Sequence, residues 1–240
     1  MPKFTVRLID RKEIATNTMA FTFTKPKDFV YKAGQYVDLS LIAPPETDDE
    51  GNTRSFSLAS TPAEGALMIA TRMRDTAFKR VIKALPLESE LQLAGPMGSF
   101  TLHSDATRPA IFLTGGIGIT PVRSIIAQAI RDKAPHQMYL FYSNRTISDA
   151  AFLEELTQLT VDHNAVHVIP TVTKMDPAQE SWIGETGYID AQMLARHTAD
   201  VVKPIYYISG PEAMVGAMRK LLAEQGVGDD DIRAEEFAGY

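Results

Sequence analysis

Ala110-Ile-Phe-Leu-Thr-Gly-Gly-Ile-Gly-Ile-Thr-Pro121 is a short apolar run, broken by a glycine turn and followed by a proline. An unalternating apolar run of this length is expected of a strand buried on both faces. Gly115 and Gly116 can take backbone angles closed to other residues, and Gly118 lets the chain approach a ligand closely. Pro121 suits the first turn of a helix, where its missing N–H costs nothing. Ile125, Ile126, Ala129 and Ile130 then form one apolar helical stripe. A helix that starts this way offers free N–H groups and the positive end of its dipole to an anion. The match to G-x-G-x-x-G is incomplete, because Ile119-Thr120 follows Gly118. Taken alone, the turn reads equally as nucleotide-binding or as an ordinary strand-to-helix junction.

Downstream the same alternation repeats. Met138–Tyr142, Val166–Thr171, Ile205–Ser209 and Ile232–Phe237 read as strands, and Ala150–Leu159, Ala191–Arg196 and Glu212–Gln225 as helices. Such alternation builds a parallel sheet with helices on both faces. Upstream the pattern differs. Phe4–Ile9, Met19–Thr24, Gly34–Leu41, Arg54–Ser60, Leu67–Arg74 and Glu90–Leu93 are short strands punctuated by turns, with one helix at Thr76–Leu85. That composition predicts an antiparallel barrel or sandwich. The change falls near Ser104–Pro109, giving expected domains at 1–104 and 105–240.

Arg54-Ser-Phe-Ser-Leu-Ala-Ser60 stands out among the upstream strands. Strand parity turns Arg54, Phe56 and Leu58 one way and Ser55, Ser57 and Ala59 the other. An arginine can fork onto a pyrophosphate. For the heptapeptide taken alone, a half-buried strand with a polar face is the stronger reading. Asp75 and Thr76 occupy N-cap positions for the following helix. Arg72, Arg74, Lys79, Arg80 and Lys83 form a basic cluster, suited to neutralising phosphate or steering an acidic partner. A solvated helix face is the plainer reading of Lys79 and Lys83.

The chain has 240 residues and a formal net charge of -6, which argues against general nucleic-acid binding. With no cysteine, it has no disulfide, thiolate metal site, cysteine nucleophile or cysteine-ligated iron–sulfur cluster. Met1-Pro-Lys-Phe-Thr-Val-Arg7 lacks the apolar core of a signal peptide, and no apolar run approaches the ~20 residues of a membrane helix. A cytoplasmic location without a membrane span is expected. His163 and His167 straddle a helix–strand junction and make no metal site. Three further stretches are candidates for lining a pocket: Trp182-Ile-Gly-Glu-Thr-Gly187, Tyr207-Ile-Ser-Gly-Pro211 and Glu235-Glu-Phe-Ala-Gly-Tyr240.

Taken in order, Gly34-Gln-Tyr36, Arg54-Ser-Phe-Ser57, Gly95-Pro-Met-Gly-Ser-Phe100, Gly115-Gly-Ile-Gly-Ile-Thr-Pro121, Ser209-Gly-Pro211 and the aromatic C-terminus resemble the ferredoxin–NADP reductase superfamily. Each motif is modestly specific; the ordered set is far more so. The resemblance implies a flavin-binding antiparallel β-barrel followed by an NAD(P)-binding α/β parallel sheet. It implies FAD as cofactor and NADPH or NADH as hydride donor. Arg54 and Ser55 would lie at the flavin site, Arg54 on the FAD phosphates. Phe56 would stack on the flavin and Ser57 would bond near its N5. Thr71 and Thr76 would be secondary flavin contacts. Gly115, Gly116, Gly118 and Thr120 would approach the dinucleotide, and Arg145 its adenosine ribose. Ser209 and Gly210 would lie near the nicotinamide. Phe237 or Tyr240 would cover the flavin face.

The chain departs from the family at two points. Phe56 replaces the usual tyrosine and Ser209 a common cysteine. Without cysteines, the family's iron–sulfur domain is also missing, so electrons would leave to a separate acceptor: a ferredoxin, a flavodoxin or an oxygenase component. Reduction of free flavin or ferric complexes is the alternative. A flavin-binding, electron-routing subunit with little turnover of its own is a third reading.

Overall fold

The computed structural model describes residues 2–161, 163–175 and 182–237. The first half is an antiparallel sheet of six strands in the order β4-β3-β6-β1-β2-β5. Its strands are β1 (Lys3–Ala15), β2 (Thr18–Thr24), β3 (Tyr36–Leu41), β4 (Thr53–Ser57), β5 (Ala66–Arg72) and β6 (Glu90–Met97), with helix α1 (Ala77–Ala84) between β5 and β6. The edges curl together: just past β4, the Ala59 N–H donates to the Met68 carbonyl of β5 at 2.8 Å. This closure satisfies backbone groups that an open edge would leave unpaired. Val6, Leu8, Phe21, Phe23, Leu39, Leu67 and Leu93 fill the interior, and α1 adds Phe78, Val81 and Ile82.

The second half is a wholly parallel sheet in the order β10-β9-β8-β7-β11-β12. It comprises β7 (Ala110–Gly115), β8 (Met138–Asn144), β9 (Val166–Val172), β10 (Glu185–Thr186), β11 (Ile205–Pro211) and β12 (Ile232–Phe237). Helices α2 (Ile119–Arg131) and α3 (Leu153–Val161) contribute to one core, and α4 (Ala191–Thr198) and α5 (Glu212–Glu224) to the other. Strand β7 feeds both. Ala110 and Phe112 enter the α2 side, and Ile111 and Leu113 the opposite side. The strand order reverses between β7 and β11, so the crevice at their carboxyl ends is the topological switch point, where open α/β sheets bind ligands.

Several boundaries differ from those read in the sequence. Strand β1 runs on to Ala15, pairing with β6 through Lys3–Arg7 and with β2 from Leu8 onward. Irregularities at Leu8/Asp10 and Glu13/Ala15 break its side-chain alternation and hid its second half. Helix α3 begins at Leu153, not Ala150, because Phe152 takes a φ of 60°, outside the helical region. Its ring lies under the Arg123 guanidinium, 5.1 Å from ring centroid to Cζ. Strand β10 has two residues, too few to show a period.

Buried Arg123 joins the two halves. It forks onto Glu155 at 3.1 and 2.6 Å and donates to the Ala59 carbonyl. Beside it, the Ser124 hydroxyl donates to the Ser60 carbonyl at 2.6 Å. Polar groups at this junction are satisfied across it, as burial requires. No helix among the described residues is long and apolar enough to cross a membrane.

Candidate active site

A cavity of about 680 Å³ opens between the barrel and the parallel sheet. Arg54, Ser55, Phe56 and Ser57 of β4 line it, with Thr71 of β5 and Thr76 and Lys79 at the start of α1. Ile117, Thr120, Glu235 and Phe237 complete it from the other half. Eight residues singled out in the sequence therefore converge here: Arg54, Ser55, Phe56, Ser57, Thr71, Thr76, Thr120 and Phe237.

Ser57 carries the bond that spans the cavity. Its hydroxyl donates to Glu235 Oε1 at 2.8 Å. Glu235 Oε2 is buried and has no hydrogen-bond partner among the described residues. Burial pushes the Glu235 carboxyl up to about 6, and the Ser57 bond only partly offsets this. The sequence reading took the stretch from Glu235 for its aromatics alone. Strand parity was the missed signal, since Glu235 and Phe237 share a face of β12. Phe237 packs with Ala20, Ala70 and Ile117, and so ties β12 to the barrel.

The raised carboxyl has a measurable consequence. Below about 4.5, Glu235 is protonated in the folded and unfolded chains alike, and folding is not penalised. As pH rises through about 6, the folded chain must ionise a buried acid, and stability is lost. At pH 8 the loss is about 2 kcal/mol. Glu235→Gln is therefore expected to melt roughly 4–8 °C above the wild type at pH 8 and level with it at pH 4.5. Thermal melts at the two pH values check this, and a pH-independent difference would contradict it.

The side of the cavity around Arg54 is rich in basic residues. Arg54 lies over the Phe78 ring at 5.4 Å. Thr76 caps α1, accepting the Lys79 N–H at 3.4 Å, while Asp75 pairs with Arg80 and takes no cap role. Lys79 corrects the expectation of a solvated face. It lines the cavity, donates to the Arg72 carbonyl at 2.6 Å, and has its amine pushed down to about 8, by burial first and then by the Arg74 and Arg54 charges. The wider basic cluster is not a free surface either. Arg72 pairs with Asp149 at 3.4 Å, and Arg80 with Glu46 at 2.7 Å as well as with Asp75. Acidic neighbours brought in by the fold thus neutralise Arg72 and Arg80 of the patch that composition presented.

Other expectations change character. Phe56 is only 9% exposed, its ring packed 5.7 Å from that of Phe78, so most of its stacking face is spent in the barrel core. Gly115, Gly116, Gly118, Ser209 and Gly210 do not line the cavity; Gly115, Gly118, Ser209 and Gly210 pack tightly where β7 and its turn meet β11. A Cβ on Gly118 would lie 2.4 Å from the Ser209 carbonyl oxygen, and one on Gly115 would lie 2.3 Å from Met214 Sδ. The close approach these glycines permit is therefore to the chain itself. Ser209 is fully buried, donating to the Gly118 carbonyl at 2.9 Å, with Thr114 Oγ1 at 3.3 Å. Arg145 is exposed beyond the end of β8, outside this cavity. Tyr240 lies outside the described residues.

A wider groove of about 920 Å³ runs past Tyr139, His167, Ile183, Glu185 and His197 at the β8–β10 edge. Glu185 there bonds Arg196 and His197. The groove holds none of the eight converging residues and borders a segment outside the described residues, so the smaller interdomain cavity is the better site.

Two family models match the chain: an oxidoreductase FAD-binding domain over residues 5–102 and an oxidoreductase NAD-binding domain over residues 112–220. The chain is 27% identical to ferredoxin–NADP reductase B of Sorangium cellulosum, over 98% of its own length and 97% of that protein's. It is 28% identical to the reductase component of propane 2-monooxygenase from Rhodococcus jostii, over 89% of its own length but only 57% of that protein's. Among solved structures, a Neisseria gonorrhoeae ferredoxin NADP+ reductase with bound FAD and NADP has the same fold, with a TM-score of 0.80, 17% identity and 98% coverage of each chain. An Amycolatopsis cytochrome P450 reductase also shares it, with a TM-score of 0.80, 22% identity and coverage of 98% of this chain and 70% of that one. The two matched domains meet at the cavity just described, and the chain belongs to the ferredoxin–NADP reductase superfamily of FAD- and NAD(P)-binding oxidoreductases.

Proposed function

We propose that this chain passes electrons from NAD(P)H through FAD to a separate acceptor such as a ferredoxin, a flavodoxin or an oxygenase component. The Ser57–Glu235 bond carries the proposal, because it joins a wall of the FAD-matched half to a wall of the NAD-matched half within one cavity. The division into an FAD unit over 1–104 and an NAD(P) unit over 105–240 is part of this reading. Its support is the gap between the two matched segments.

The residues present fit a flavin dinucleotide. Arg54, with Lys79 and the α1 N-terminus beside it, supplies the charge and donors a pyrophosphate requires. Thr71 and Thr76 add hydroxyls, and Phe56 and Phe237 bring apolar surface to the cavity wall. When bound, FAD takes two electrons from reduced nicotinamide and returns them singly or as a pair. Ser57, held by Glu235, fixes a hydroxyl in the cavity. Burial raises the Glu235 carboxyl to about 6, so it can hold a proton at Oε2 in mildly acidic solution and is mostly ionised at pH 7. Ser209 is a positioning residue, acting through the Gly118 carbonyl that its hydroxyl bonds. Gly115, Gly116, Gly118 and Gly210 shape the switch-point crevice for the dinucleotide, and Arg145 stands at the strand end where an adenosine ribose would be read.

Pairing of Arg72 and Arg80 within the chain removes the argument for steering by that cluster, and it favours a second reading, reduction of free flavin or ferric complexes. The purified protein should absorb as a flavoprotein and bleach with NADH or NADPH under anaerobic conditions. A colourless protein that takes up neither FAD nor FMN would overturn the proposal. Selective bleaching by one nicotinamide would identify the donor, and reduction assays with each acceptor class would separate the two readings.

A further inference from the structure

The loop between β3 and β4 carries Glu46, Asp48, Asp49 and Glu50, and it is docked on the very groups assigned above to phosphate. Arg54 Nη2 donates to Asp48 Oδ1 and pairs with Glu50 Oε2, each at 2.9 Å. Its Nη1 is taken by the carbonyls of Glu50 and Gly51 at 2.9 Å and of Thr53 at 2.8 Å. Both terminal nitrogens are therefore fully engaged by this segment of chain. The other oxygen of the same carboxylate, Asp48 Oδ2, accepts the Ala77 N–H at 3.0 Å, the first amide of α1. One carboxylate thus bridges a guanidinium and a helix N-terminus, the pairing that recruits a phosphate. Glu46 fastens the loop again, with both oxygens on Arg80 at 3.0 and 2.7 Å.

We infer that Asp48 is a resident anion in the pyrophosphate cradle, and that its loop must swing out before FAD loads. This rests on the flavin reading of the cavity. Loading then exchanges one anion for another on Arg54 and the α1 N-terminus. Only the fraction of molecules with the loop released is competent to bind, so the apparent affinity is reduced by that fraction. The loop is built to move as a unit, since Asp48 also bonds within it, its carbonyl accepting the Gly51 N–H at 2.8 Å and its carboxylate the Glu50 N–H at 3.2 Å.

The test is an FAD titration of the full chain, stripped of flavin, followed by flavin fluorescence, for the wild type and Asp48→Asn. Asparagine keeps the shape and removes the charge, and binding is expected to tighten about tenfold. FAD bound by the wild type but equally or more weakly by the variant would overturn the gate alone, making Asp48 a support for Arg54. Failure of both proteins to bind FAD would remove the flavin reading and the gate together. Proteolysis of the wild type gives a measurement that needs no variant. The released loop should also become open to protease, so limited proteolysis should cut between residues 44 and 52 faster once FAD is bound, and unchanged or slower cleavage would overturn the gate.

Discussion

Gly118→Ala is expected to be strongly destabilising. The added Cβ would lie 2.4 Å from the Ser209 carbonyl oxygen, 2.6 Å from its carbonyl carbon and 2.7 Å from the Gly210 nitrogen. All three are backbone atoms of β11, which is hydrogen-bonded to β7 on one side and β12 on the other. No rotamer change relieves the clash; a central strand or the turn must shift. Overpacking against backbone that cannot rotate away falls at the upper end of the usual range, about 3 kcal/mol. In a chain of this size that lowers the melting temperature by roughly 6–12 °C. The shift would also break the bond from Ser209 to the Gly118 carbonyl and open the switch-point crevice. Gly216→Ala is the control: it lies on exposed helix α5 with nothing within 4 Å of an added Cβ. It should be neutral or stabilising by up to about 1 kcal/mol, since alanine is the better helix former. Thermal melts of the two variants side by side test the argument, and a Gly118→Ala protein as stable as the wild type would refute it.

Arg54→Ala is expected to weaken FAD binding about a hundredfold. A guanidinium fork onto phosphate supplies two charge-assisted hydrogen bonds at roughly 1.5 kcal/mol each, or about 3 kcal/mol together. That difference corresponds to about two decades in the dissociation constant. Removing the arginine also frees Asp48 and Glu50, which eases displacement of the loop but leaves two carboxylates beside the incoming phosphate. Loss of the cation dominates, because repulsion now adds to the missing bonds. Folding should suffer little, as these partners are partly exposed and such pairs are worth at most about 1 kcal/mol. Arg54→Lys restores charge without the planar fork and should recover about tenfold of the loss. Flavin retention through gel filtration and direct titration read the effect. An Arg54→Ala protein that binds FAD like the wild type would remove Arg54 from the phosphate role.

Most of the architecture was legible from periodicity. Apolar runs at β7, β8 and β11 read as buried strands because each is covered on both faces, and the stripe of α2 appeared at helical spacing. The second half of β1 did not, because Asp10-Arg-Lys-Glu13 is polar and the strand changes partner there through irregular pairing. The candidate site was legible where chemistry resided in residue type, in an arginine and two serines, and the order of motifs added three threonines through the family resemblance. Lys79 and Glu235 were missed because their significance is not in their type. A lysine on a helix face and a glutamate on a terminal strand are ordinary until burial and a neighbour perturb them.

By itself, the sequence determined the two kinds of sheet, their order along the chain, and the motifs that each contributes. Those properties follow from local spacing, which side-chain periodicity and glycine placement record directly. Only the tertiary structure decided which groups meet. It set Ser57 against Glu235 and laid the acidic loop over Arg54. It also set Gly118 against the β11 backbone and Gly115 against Met214 of α5. These pairings join residues far apart in the chain, and their energies depend on distance, burial and charge in space, which no linear spacing encodes.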